Sequence, residues 1–185
     1  MLLHNVHNGV AILMGAISMY YDDDSIFNER VCILWTLSYF LVDIVDCFQQ
    51  DDKSFMVHAV ISFGLGLVNY TTPELRQLRT NSRATMCELS SPFLHWAKAT
   101  RKPVAFLLFA IMFTLCRIVW VPVGIMQPML HQGIPWTDLR FLAVVGFYAL
   151  NCLWYYKILR ILLDGVKSKE ELAEEKKADK ENKGD

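Results

Sequence analysis

The chain has 185 residues, of which 54% are hydrophobic, with a formal net charge of -1 and a positive mean hydropathy. So much apolar residue, gathered in long unbroken runs, excludes an ordinary soluble domain, and the near-neutral charge leaves no footprint for nucleic acid. The cysteines Cys32, Cys47, Cys87, Cys116 and Cys152 all lie in apolar stretches without a CxxC pair, which predicts reduced thiols packed among helices.

Crossing a hydrocarbon core of ~30 Å takes ~20 helical residues, with a floor near ~17. Taken in chain order, the first candidate span is Val6–Tyr21, which ends in the acidic loop Asp22-Asp23-Asp24. No Lys or Arg precedes it, so no cleavable signal peptide is expected. Val31–Phe48 is the second span and Phe55–Tyr70 the third. The fourth, Ala84–Ala99, is the weakest, because Glu88, Ser90, Ser91, Pro92 and His95 interrupt it. Val104–Leu130 is the fifth, and Pro122 and Pro128 are expected to kink or end its last turns. Leu139–Leu163 is the sixth and is rich in aromatics.

The runs are continuously apolar, not alternating, so a barrel of strands is excluded and helices remain. The expected fold is an all-α integral membrane protein, a bundle or barrel of six transmembrane helices over residues 1–163. Residues 164–185 mix Glu, Lys and Asp with almost no apolar residue, which predicts a disordered, charged tail. Its acidic residues outnumber its lysines, which argues against a patch for anionic lipid. Six spans place both termini on one side. That side carries Lys53, Lys98, Arg101, Lys102, Lys157, Arg160 and the tail lysines, against Arg30, Arg76, Arg79, Arg83 and Arg140 opposite. The bias predicts cytosolic termini. Composition fixes no oligomeric state.

Ionisable groups inside a span are costly and usually have work to do. Asp43 and Asp46 are three residues apart, on one face of the second span. His58 opens the third span after a short turn. At ~1.5 Å rise per residue, the hairpin brings His58 to the depth of the two carboxylates. A carboxylate accepting from the imidazole would fix its tautomer and raise its basicity. A simpler reading leaves Asp46 among headgroups and His58 as structural glue between helices. Glu88 and Arg117, both near mid-depth, are natural partners, since an unpaired buried charge is heavily penalised. His95 falls near the depth of His58, and His7 enters from the same side. No phosphate loop, nucleophile elbow or metal-ligand spacing is present, so no metal or cofactor is expected.

Four stretches resemble the TLC-domain family, named for the TRAM, Lag and CLN proteins. These are His7-Asn8, Tyr39-Phe40-Leu41-Val42-Asp43, Lys53–His58 and Glu88-Leu89-Ser90-Ser91-Pro92-Phe93. The last span, around Asn151 to Ile158, is also similar to the family's final helix. The resemblance implies a six-helix barrel around a lipid-accessible cavity, commonly in the endoplasmic reticulum, with membrane lipids as partners. In the ceramide-synthase branch, paired histidines and acidic residues transfer an acyl group from acyl-CoA to a sphingoid base. Here Ala59 stands in place of the second histidine, and only Asp43 and Asp46 remain of that branch's longer acidic motif. The chain is closer to the non-catalytic members, which implies lipid binding or sensing and a part in sphingolipid or phospholipid homeostasis. The alternatives are an acyl-CoA-dependent lipid N-acyltransferase using His58 with Asp43 and Asp46, and a transporter or cargo receptor built on Glu88 and Arg117.

Overall fold

The computed structural model describes residues 2–21, 28–50 and 53–164, and every described element is helical. The acidic loop at 22–24 and the tail from 165 onward lie outside the described residues. The long elements are α1 (Leu2–Tyr21), α2 (Glu29–Gln49) and α3 (Lys53–Thr71). Two short helices follow, α4 (Pro73–Gln77) and α5 (Thr80–Thr85), then a 3-10 turn over Met86–Ser90 and α6 (Ser91–Thr100). A continuous helical run, Pro103–His131, begins as α7 (Pro103–Phe113), widens to π geometry over Thr114–Val119 and Val121–Met126, and ends as α8 (Gln127–His131). The last helix is α9 (Leu139–Asp164). Asp138 starts it: its side chain accepts from the Arg140 backbone N–H at 2.8 Å and its carbonyl from Leu142 at 2.9 Å. Hydrogen bonds from Arg140 also hold the Asp138 carboxyl down to about 2.

Glu29–Gln49, Pro103–His131 and Leu139–Leu163 are long and apolar enough to cross a membrane. The outer surface suits that medium. Leu13, Leu34, Leu41, Val42, Leu107, Ile111, Leu115 and Leu153 face outward, while His7, Asn8, Ser18, Thr36, Ser62, Asn69, Arg117 and Asn151 are buried. A soluble protein would reverse that arrangement, because exposed apolar area on this scale drives association in water.

The long rods close into a ring: α1 packs on α2, α2 on α3, α3 on α9, α9 on α7, α7 on α6, and α6 with its 3-10 turn back on α1. α5 sits inside, touching α1, α2 and α3. Two apolar clusters fill the ring at different heights. One gathers Val121, Ile125, Met129, Phe141, Val144 and Phe147. The other gathers Ala97, Ala105, Phe109, Phe113 and Ile158.

Three prolines interrupt these rods, and each is compensated. A proline lacks the N–H that would bond the carbonyl four residues back. In lipid no water can take that carbonyl, so another donor must. For Pro92 the carbonyl is that of Glu88, and the Ser91 N–H reaches it by tightening the turn to 3-10. For Pro122 it is Ile118, which accepts from the Tyr148 hydroxyl at 3.2 Å. For Pro128 it is Gly124, which accepts from Arg83 Nη1 at 3.1 Å. One expectation changes as a result. The fourth expected span is no single rod over Ala84–Ala99 but α5, a tight turn and α6. The fifth expected run keeps its length: it widens to π geometry around Pro122 and continues helical to His131. The absent side chain at Gly124 also lets the Trp120 indole lie against it, since a Cβ there would come within 2.6 Å of the ring. From that position Trp120 Nε1 donates to the Arg83 carbonyl at 2.8 Å.

Candidate functional site

The tight turn at Met86–Ser90 points Glu88 into the ring, where the π-widened part of the Pro103–His131 run delivers Arg117. Arg117 Nη2 lies 3.3 Å from Glu88 Oε1. Arg117 also donates Nε to Ser90 Oγ at 3.1 Å and Nη1 to Asn151 Oδ1 at 3.2 Å. Asn151 in turn donates to the Phe147 carbonyl at 2.9 Å, one turn back along α9. The second Glu88 oxygen accepts from Asn8 Nδ2 at 3.2 Å and from Ser91 Oγ at 2.6 Å. Four elements therefore meet on one ion pair: α1, the 3-10 turn with the start of α6, the π segment and α9. Arg117 is flanked in sequence by Phe113 and Val121, and Asn151 by Phe147 and Ile158, so the pair sits between the two apolar clusters. Removal from water makes each charge expensive alone, and the pairing with full hydrogen bonding offsets that cost.

Beside this hub, toward α5, the ring holds a partly open cavity of about 70 Å³. That is room for several water-sized groups, each needing ~10–15 Å³ on this measure. Its walls are Thr36 and Phe40 of α2, Ser62, Leu65, Gly66 and Asn69 of α3, Thr80, Asn81, Ala84 and Thr85 of α5, with Ile125, Val144 and Phe147 closing the far side and Glu88 at one end. Some of the polar lining is already engaged: Asn81 Nδ2 donates to Thr36 Oγ1 at 3.3 Å, Thr36 to the Cys32 carbonyl at 2.9 Å, and Thr85 to the Ser82 carbonyl at 2.8 Å. Asn69 Oδ1 and Thr80 Oγ1, by contrast, are buried with no hydrogen-bond partner. Buried polar atoms are nearly always satisfied, so two such oxygens on residues of one cavity wall are unusual.

His58 is buried in an aromatic box. Its ring centre lies 5.9 Å from that of Phe40, 6.0 Å from Phe147 and 5.1 Å from Trp154. Its Nδ1 has no hydrogen-bond partner. Packing of α3 on α9 turns His58 toward Phe147 and Trp154. Asp43 and Asp46 are both half-buried on α2. His7 is buried, stacked on Tyr39 with centroids 3.9 Å apart and on Trp35 at 5.5 Å, so it docks α1 on α2. His95 lies half-buried on α6. Among the described residues no group of three His, Cys, Asp or Glu side chains is arranged to hold a metal ion.

A second buried polar network joins α1, α2 and α5, and the sequence reading did not find it. Glu29, only 3% exposed, accepts from the Ser82 backbone N–H at 3.0 Å, from the Ser82 hydroxyl, and from Ser18 at 3.4 Å. Arg79 Nη1 donates to Ser18 Oγ at 2.6 Å. Glu29 lies two residues before the apolar run that begins at Val31, and its partner segment is short and polar. An acid at the lip of an apolar run, with an arginine in the next short loop, was the available signal.

Neither a curated protein nor a solved structure matches the chain. The model of the TLC domain matches residues 3–160, which takes in every helix of the ring and both halves of the Glu88–Arg117 pair. With an apolar exterior, a buried polar interior and that match over most of its length, the chain is an integral membrane protein belonging to the TLC-domain family, a family linked to lipid biology.

Proposed function

We propose that this protein binds or senses lipid in the cavity inside its helix ring, without catalysis, and so contributes to sphingolipid and phospholipid homeostasis. In this reading α1, α2, α3, the 80–100 segment, the 103–131 run and α9 make six crossings of the endoplasmic reticulum membrane, with cytosolic termini. The observation that carries it is a cavity lined by uncharged polar side chains, Asn69 and Thr80 among them, inside a ring whose outer face is apolar. The setting of His58 supports the non-catalytic half. General-base chemistry needs an oriented imidazole within hydrogen-bond reach of its carboxylate and substrate. His58 is boxed by three aromatic rings instead, and both oxygens of Glu88 are taken.

Deleting the protein from cells is expected to shift phospholipid or sphingolipid composition, read by quantitative lipidomics, and restoring the wild type is expected to reverse the shift. An unchanged lipidome would overturn the proposal. Purified protein given acyl-CoA and a sphingoid base is expected to form no amide above an Asp43→Asn control. Amide formation that this substitution abolishes would put an acyltransferase in its place.

A further inference from the structure

We infer that the cavity takes a neutral lipid whose polar end carries hydroxyl groups and no phosphate, held by Asn69 and Thr80; this rests on the lipid-binding reading and names the class of lipid. The wall offers hydroxyls and carboxamides: Thr36, Ser62, Asn69, Thr80, Asn81 and Thr85. Asn69 and Thr80 are 6% and 4% exposed and line the cavity together, and each holds a buried oxygen without a partner that a turn of its side chain would bring to a guest. A carboxamide and a hydroxyl each both donate and accept, and so does an alcohol, which completes them however each is turned. Leu65, Ile125, Val144 and Phe147 line the same space and suit the first methylenes below such a head.

The charge pattern excludes the commoner head. A phosphate carried into this interior needs a cation, because an unpaired ion out of water is severely penalised. Among the described residues no lysine or arginine lines the cavity, and the acidic Glu88 is the only ionisable wall group. The guanidinium groups nearby in the fold are engaged elsewhere. Arg117 holds Glu88, Ser90 and Asn151; Arg83 holds the Leu78 and Gly124 carbonyls; Arg79 holds Ser18. An amine-bearing head is equally unsuited, since Arg117 already neutralises Glu88 and two more donors occupy its second oxygen.

The test uses the full chain in phosphatidylcholine nanodiscs, to which dioleoylglycerol, cholesterol, dioleoyl phosphatidate or sphingosine is added, with retained lipid counted by native mass spectrometry. Retention of dioleoylglycerol or cholesterol is expected, and the separate arms show which of the two neutral alcohols is preferred. Asn69→Leu and Thr80→Val should each weaken it roughly fivefold, the worth of one hydrogen bond. His58→Phe should leave it unchanged, and thermal unfolding of each variant confirms that it folds. Phosphatidate or sphingosine retained more strongly than the neutral lipids, and lost in Asn69→Leu, would overturn the assignment of class while leaving lipid binding intact. Retention indifferent to both substitutions, or no retention with the variants as stable as wild type, would show a cavity that holds water only and would overturn the inference. Binding as expected with an unchanged lipidome on deletion would refute the homeostasis reading alone.

Discussion

Arg117 Nη2 stands 3.3 Å from Glu88 Oε1, and this ion pair ties the interrupted 80–100 segment to the π-widened helix across the ring. Removing one partner strands the other in a low dielectric. Glu88→Gln is expected to cost about 3 kcal/mol of stability, as breaking a buried pair does. Glu88→Gln combined with Arg117→Met should cost less than the two single changes added together. Unfolding by denaturing detergent in mixed micelles reads the difference, and additive costs would contradict the pairing.

Tyr148 and Pro122 form a second testable couple. Tyr148→Phe takes away the donor to the Ile118 carbonyl and should cost about 0.6–1 kcal/mol, the ordinary worth of such a bond between membrane helices. In a Pro122→Ala background residue 122 regains its N–H, so the same Tyr148→Phe change should cost almost nothing. Equal costs in both backgrounds would show that the hydroxyl does not compensate the proline.

Close approach of α1 to α5 makes a third prediction. A Cβ at Gly15 would collide with the Thr85 hydroxyl and lie 3.0 Å from the Ser82 carbonyl, whereas one at Gly9 meets nothing within 4 Å. Gly15→Ala is therefore expected to destabilise by about 1–3 kcal/mol, the usual cost of overpacking. Gly9→Ala should be neutral or stabilise by about 0.5–1 kcal/mol through helix propensity. The two variants can be compared by thermal unfolding in the same detergent, and the reverse order would mean that α1 does not dock as described.

How far the sequence reveals this molecule differs from element to element. Long apolar runs marked α2, α3, the 103–131 helix and α9, because lipid demands continuous apolar surface over a fixed length. The break in the fourth rod follows from Pro92, yet its repair by Ser91 depends on a local tightening that composition does not show. The partners of Pro122 and Pro128 lie 30 and 41 residues from the carbonyls they serve. Finding them requires the rotational setting of one helix against another. The same gap applies to His58. Rise per residue predicts a height beside Asp43, but not the direction of its ring, which the packing of α3 on α9 decides. Glu88 and Arg117 were visible because each is a charge in an otherwise apolar stretch, and they meet in the structure. Glu29 lay just outside such a stretch and passed unnoticed.

On the proposed function, this protein works through its polar cavity and not through His58. Cells lacking it, complemented with Asn69→Leu or with His58→Phe at matched protein levels, separate the two by lipidomics. His58→Phe, which keeps an aromatic ring in the box, is expected to restore the wild-type lipid profile, while Asn69→Leu restores it incompletely. A His58→Phe profile as abnormal as the deletion, beside full rescue by Asn69→Leu, would contradict it.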